Sequence, residues 1–200
     1  YFLYLGRLVP EKGIHYLIEA YQRMNTDKKL VIAGGSSHSD DYVERLAAMS
    51  IDNDNIIMTG FVSGKTLEEL YSNAFVYVLP SDVEGLPISL LEAMSYKRYC
   101  LVSDIKENTT TSNGKAVAFQ HGNVDDLYEK LCVIDAMSAS EVEKKGQEAG
   151  AYVAENYRWK AVVEKTLKVY EKVKKNMPRI PFMNTEIDNP PRLIHIFYRI

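Results

Sequence analysis

The sequence predicts an α/β fold built on a doubly wound parallel sheet with helices after it, and three observations predict it. Short β-branched or aromatic runs alternate with segments of helical period from Tyr1 to about Phe119. The loops between them are short. From Phe119 to about Lys175 the strand-like runs stop and only helical periodicity continues.

Taken in order, strands are expected from Tyr1 to Leu5, Leu30 to Ala33, Ile56 to Thr59, Phe75 to Leu79, Tyr99 to Val102 and Ala116 to Phe119. Helices with one apolar side are expected from Ile14 to Met24, Asp41 to Met49, Thr66 to Asn73 and Pro87 to Tyr96. Three more follow from Val124 to Met137, Ser140 to Asn156 and Trp159 to Lys175. Thr66 and Glu69 have capping-box spacing, which marks a helix start. From Met177 the composition turns to proline and asparagine, ending in Asn189-Pro190-Pro191, which neither a helix nor a central strand tolerates. The expected organisation is therefore one domain over 1–176 and, over 177–200, a linker and the start of a truncated following segment, strand-like from Leu193 to Ile200. Tyr1 opens directly on a strand-like run, so an upstream segment is expected to be missing.

At 200 residues, 46% hydrophobic and 26% charged, the chain is long enough to bury a sizeable core. Its net charge of -3 lacks the concentrated positive field that nucleic acid requires, so no nucleic-acid partner is expected. Cys100 and Cys132 lie in apolar stretches without a second pair for a disulfide framework or metal site, and both are expected to be buried in a reducing, cytoplasmic compartment. No apolar run reaches the ~20 residues of a membrane-spanning helix. From Arg158 to Arg179, lysines and arginines outnumber Glu164 and Glu171. Two readings stay open there: a solvated helix face, or peripheral contact with an anionic membrane surface.

The chemistry is concentrated in Ser81-Asp82-Val83-Glu84-Gly85-Leu86-Pro87-Ile88, directly after the expected strand at Phe75 to Leu79. Ligands of open α/β sheets bind beyond the carboxyl ends of strands. Pro87 suits the first helical position, and the free N–H groups of a helix start favour an anion. Glu84 precedes that helix. Glu92 follows Pro87 by about 7 to 8 Å along the axis at ~1.5 Å per residue. The two carboxylates are expected to flank the anion without sharing it, and carboxylates accept well from vicinal hydroxyls. A ribose, a diphosphate and a sugar have that layout. The loop Gly6-Arg7-Leu8-Val9-Pro10-Glu11-Lys12-Gly13, after the first strand, brings Arg7 and Lys12 to the same end of the sheet. They supply charge to a diphosphate leaving group without a metal.

Gly6-Arg7 with Lys12-Gly13, the turn Thr59-Gly60-Phe61-Val62, and Glu84-Gly85-Leu86-Pro87 with Glu92 resemble the C-terminal, donor-binding domain of family 4 (group 1) glycosyltransferases, over about Tyr1 to Lys175. The resemblance implies a Rossmann-like half of a two-domain GT-B enzyme. It also implies retaining, metal-independent transfer from a UDP- or GDP-sugar to a glycan or lipid-linked acceptor, with no cofactor beyond the donor. By the same resemblance Arg7 and Lys12 bind the diphosphate. Glu84, with the backbone of Gly85, Leu86 and Ile88, positions the sugar and its phosphate; Glu92 holds the ribose, and the backbone near Val62 meets the base. Glu84, Arg7 and Lys12 are the catalytic candidates. The acceptor site belongs to an N-terminal domain that this chain lacks, so the chain alone is expected to be inactive. A non-hydrolysing sugar-nucleotide epimerase and a non-catalytic nucleotide-sugar-binding module remain alternatives.

Other features read as scaffold. Asp52-Asn53-Asp54 precedes a strand and reads as a turn, not a metal motif. Ser63-Gly64-Lys65-Thr66 lacks the first glycine of a phosphate loop. His15, His38, His121 and His195 are scattered, with no carboxylate or cysteine at ligand spacing. Asn108-Thr109-Thr110 matches a glycosylation acceptor only for a secreted chain, and is discounted.

Overall fold

A computed structural model describes residues 1–176, with the side chains of 159–162 and 175–176 left aside. The expected segment 177–200, with its strand-like end, lies outside the described residues. The chain divides into two compact units, Tyr1–Arg158 and Trp159–Ile200.

The first unit holds six parallel strands: β1 (Phe2–Leu5), β2 (Leu30–Ala33), β3 (Ile56–Gly60), β4 (Val76–Leu79), β5 (Tyr99–Ser103) and β6 (Val117–Phe119). Their order across the sheet is β3-β2-β1-β4-β5-β6. β2, β4 and β5 are buried throughout, as strands covered on both faces must be, and so they read as unbroken apolar runs. The helices are α1 (Ile14–Gln22), α2 (Asp40–Ser50), α3 (Gly64–Asn73), α4 (Ile88–Ser95), α5 (Lys106–Ser112), α6 (Val124–Asp135) and α7 (Ala139–Asn156). α1 packs against α2 and α6, and α4 packs against α5 and α7. The sheet is thus flanked by helices, as right-handed crossovers running outward in both directions from β1 and β4 require.

β1 pairs with β2 on one side and β4 on the other, with Phe2 level with both Leu30 and Val76. The chain order reverses between β1 and β4, and at such a switch point the following loops diverge and leave a crevice.

Several local expectations are corrected. α3 begins at Gly64 after Ser63, so Thr66 already lies inside the helix and forms no cap. The capping box belongs instead to α7, where Ser138 N–H donates to Glu141 Oε2 (2.9 Å) and Glu141 N–H donates to Ser138 Oγ (3.3 Å). The Ser138 hydroxyl also donates to Glu141 Oε2 at 2.6 Å, and this bond first, then the one from the Ser138 N–H, lowers the Glu141 pKa. Pro87 is the residue before α4 and not its first, because its ψ of 83° is not helical; its carbonyl accepts from Leu90 and Leu91. α5 was not expected at all. Within it Asn108 is buried and donates to Ser103 Oγ at 3.0 Å, so its amide is a core group. Cys100 is buried, and burial raises its thiol pKa; Cys132 is only half-buried, on the same side of α6 as Tyr128 four residues earlier.

α7 packs closely because Gly146 and Gly150 leave room for the turn between α4 and β5. A Cβ at Gly146 would collide with the Lys97 carbonyl oxygen and come within 2.8 Å of its carbonyl carbon. At Gly150 the nearest atom is Lys97 Cγ at 2.9 Å, the middle of a flexible side chain. Overpacking costs about 1 to 3 kcal/mol and helix propensity returns about 1, so Gly146→Ala is expected to destabilise by up to about 2 kcal/mol. Gly150→Ala is expected to cost less. Urea unfolding of the two variants checks the order.

Of the second unit, α8 (Trp159–Asn176) is described. It exposes Val163, Leu167, Tyr170 and Val173. Among the described residues no helix is long and apolar enough to cross a membrane.

Candidate active site

The loops after β1 and β4 leave the same edge of the sheet and border an open cavity of about 640 Å³. Arg7 and Lys12 line it from the first loop, and Glu84, Gly85, Leu86 and Ile88 from the second. Glu11 and Ser89, which the sequence reading did not single out, also line it.

The first loop turns through a short 3-10 helix, Pro10–Lys12, and ends at Gly13 with φ of 64°, a left-handed conformation natural to glycine. Gly13 passes so close to the Pro80 carbonyl oxygen that a Cβ would collide with it. The Glu11 carbonyl accepts from the backbone N–H of Asp82 (2.8 Å) and of Val83 (3.4 Å). The two loops are therefore joined through the backbone, independently of their charged side chains.

Lys12 Nζ lies 2.6 Å from Glu84 Oε1, and the Ser81 hydroxyl donates to the same oxygen at 2.7 Å. The side chains of the pair are 15% and 7% exposed. Two side chains expected to meet different parts of a ligand thus meet each other, leaving Arg7, whose side chain is exposed, as the less constrained cation of the cavity. Ser81 itself is held from beneath, where its carbonyl accepts from the buried Ser103 hydroxyl. On the outer side Asp82 Oδ1 lies 2.8 Å from His121 Nε2, so this one of the four histidines does meet a carboxylate. Among the described residues no group of three His, Cys, Asp or Glu side chains converges as metal ligands.

Glu92 and Val62 do not line this cavity. Glu92 is the fifth residue of α4, and its Oε2 accepts from the Tyr71 hydroxyl at 3.0 Å. Val62 follows β3, which β2 separates from β1. The loops nonetheless form a series along one edge: Leu8 N–H donates to the Gly35 carbonyl (2.9 Å) and Gly34 N–H to the Gly60 carbonyl (2.9 Å). Apolar side chains are also exposed at the rim, with Val83, Leu86 and Ile88 beside the cavity and Phe61 farther along.

Tyr71, Tyr77 and Ser81 are the supports that sequence reading missed. Tyr77 places its hydroxyl 2.8 Å from Ser89 Oγ and 3.2 Å from the Leu5 carbonyl, tying α4 to the end of β1. Burial raises the pKa of both tyrosines, so both remain hydrogen-bond donors. The sequence signal was slight: Tyr77 within an apolar strand and Tyr71 in an amphipathic helix; buried tyrosine implies a polar partner but does not say which.

The chain is 27% identical over 183 residues to O-antigen chain mannosyltransferase B of Escherichia coli, covering 86% of this chain and 45% of that protein. Among solved structures, sucrose-phosphate synthase from Thermosynechococcus elongatus aligns with a TM-score of 0.80 at 22% identity, over 88% of this chain and 46% of that one. The Anabaena protein HepE, solved with UDP and glucose, aligns with a TM-score of 0.73 at 16% identity, over 87% and 48%. The chain spans about half the length of these proteins, and the structural likenesses identify the fold as that of one half of a GT-B glycosyltransferase. The family described as glycosyl transferases group 1 matches residues 1–134, and the chain belongs to it.

Proposed function

We propose that this chain is the donor-binding half of a retaining glycosyltransferase and that its donor is a UDP- or GDP-sugar. The observation that carries the reading is the convergence of Arg7, Lys12 and the Glu84–Ile88 segment on one cavity at the switch point between β1 and β4. The UDP held by HepE, a protein of the same fold, agrees with it. In this reading Arg7 clamps the diphosphate and Lys12 adds a point charge, so the leaving group is stabilised without a metal. Glu84, oriented by Lys12 and Ser81, accepts from the transferred sugar. The backbone of Gly85, Leu86 and Ile88 holds its phosphate, Glu92 accepts from the ribose, and the backbone near Val62 meets the base. Transfer with retention then rests on orientation and charge around an oxocarbenium-like state, with a donor phosphate oxygen taking the acceptor's proton. The acceptor, a glycan or a lipid-linked molecule, is held by the part of such enzymes that this chain does not span.

Isothermal titration of the chain with UDP, GDP and their sugars tests this. Binding is expected for one base series, without added metal. Arg7→Ala is expected to weaken both the nucleotide sugar and the bare nucleoside diphosphate, and Glu92→Ala to weaken every ligand with an intact ribose. Each loss is expected at about 1.5 to 3 kcal/mol, the value of a hydrogen bond to a charged group. No binding of either series, or two variants that bind as the parent does, rejects the assignment.

A further inference from the structure

We propose that Tyr71 is a positioning residue for the nucleotide, its hydroxyl holding the Glu92 carboxylate in the orientation that accepts from the two hydroxyls of a ribose. The inference rests on the donor-site reading above and adds to it a residue outside the cavity.

Tyr71 projects from α3 and is fully buried, its ring stacked on Tyr96 with centroids 5.3 Å apart and planes 16° from parallel. The Tyr77 ring also lies against it, tilted, with centroids 6.0 Å apart. The hydroxyl lies 3.0 Å from Glu92 Oε2 and 3.3 Å from the Ser89 carbonyl. Its single proton goes to the nearer, charged acceptor, because hydrogen bonds to ions are the stronger ones. The Ser89 carbonyl alone would satisfy a buried phenol. The bond to Glu92 is therefore not needed by the tyrosine, and its effect falls on the carboxylate.

That effect is orientation. A half-buried glutamate on a helix has several rotamers open to it, and fixing one before a ligand arrives removes an ordering cost from binding. With Oε2 engaged by Tyr71, no partner holds Oε1 among the described residues, and the carboxylate retains lone pairs enough for a vicinal diol. Burial, and next to it the charge of Glu92, raises the Tyr71 pKa, so the donor persists across the working range of pH. Tyr71 also joins α3, which follows the Val62 loop, to α4, which carries Glu92.

The test is a comparison of ligands. Tyr71→Phe keeps the ring and its stacking and deletes one oxygen. By titration of the 200-residue chain, this variant is expected to bind UDP or GDP, whichever the parent binds, about tenfold more weakly. The 2′,3′-dideoxy form of that nucleotide is expected to bind parent and variant alike. Equal weakening of both nucleotides would make Tyr71 a structural residue only and overturn the proposal, as would an unchanged affinity for the ribonucleotide. Glu92→Gln separates the two levels. Selective loss of the ribonucleotide in Glu92→Gln with none in Tyr71→Phe sinks the Tyr71 role alone. A parent chain that binds no nucleoside diphosphate sinks the donor-site reading and this inference together.

Discussion

Lys12→Ala is expected to lower the stability of the first unit by about 3 kcal/mol, in the lower part of the range for breaking a buried ion pair from one side. The Glu84 side chain is 7% exposed and would lose its counter-ion while keeping only the Ser81 hydroxyl, which returns part of the loss. Glu84→Gln in the Lys12→Ala background removes the stranded charge, so the double variant is expected to recover most of that stability. A cycle of the four proteins by urea unfolding then measures the coupling directly. Additive losses, or a Lys12→Ala loss below about 0.5 kcal/mol, the scale of a neutral surface change, would mean that the pair is solvated and carries no structural weight. The result bears on mechanism too. If coupling is strong, Lys12 is first a device that orients Glu84, and Arg7 carries the larger share of the interaction with a diphosphate.

The strands were legible in the sequence, each to within a residue or so; the central ones were plainest because a strand buried on both faces is an unbroken apolar run, as at Leu30–Ala33 and Val76–Leu79. α5 was not legible. Its sequence, KENTTTS, has poor helix formers, and its buried residues are Asn108, Thr111 and Ser112, so no apolar period marks its inner face. Thr66 misled because capping-box spacing says nothing of the residue before it, and here the chain already enters the helix after Ser63. For the site, the two loops could be found, since each follows a strand, the first carries the cations Arg7 and Lys12, and the second leads into a helix start. What Lys12 and Glu84 do to each other could not: they are separated by 72 positions, and their contact exists because β1 and β4 are neighbours in the sheet. The link from Tyr71 to Glu92 was hidden in the same way, since it depends on how α3 lies against α4.

Gly13→Ala is expected to destabilise by about 3 kcal/mol, and to do so by forcing apart the two loops that border the cavity. Two costs combine. A non-glycine residue at φ of 64° costs about 1 to 2 kcal/mol. The added methyl also collides with the Pro80 carbonyl, and backbone gives way less readily than a side chain; overpacking of that kind costs about 1 to 3 kcal/mol. Relief requires Pro80 to move, and with it the Asp82 and Val83 N–H groups that meet the Glu11 carbonyl. Gly85→Ala is the matched control. Nothing lies within 4 Å of its would-be Cβ, so it is expected to leave stability within about 0.5 kcal/mol of the parent even though it faces the same cavity. Thermal and urea unfolding give the stabilities, and nucleotide titration of both variants reads the cavity. If Gly13→Ala is as stable as Gly85→Ala, the close approach at Pro80 is not what sets the distance between the loops, and the cavity's shape must be held by the Glu11 backbone hydrogen bonds and the ion pair.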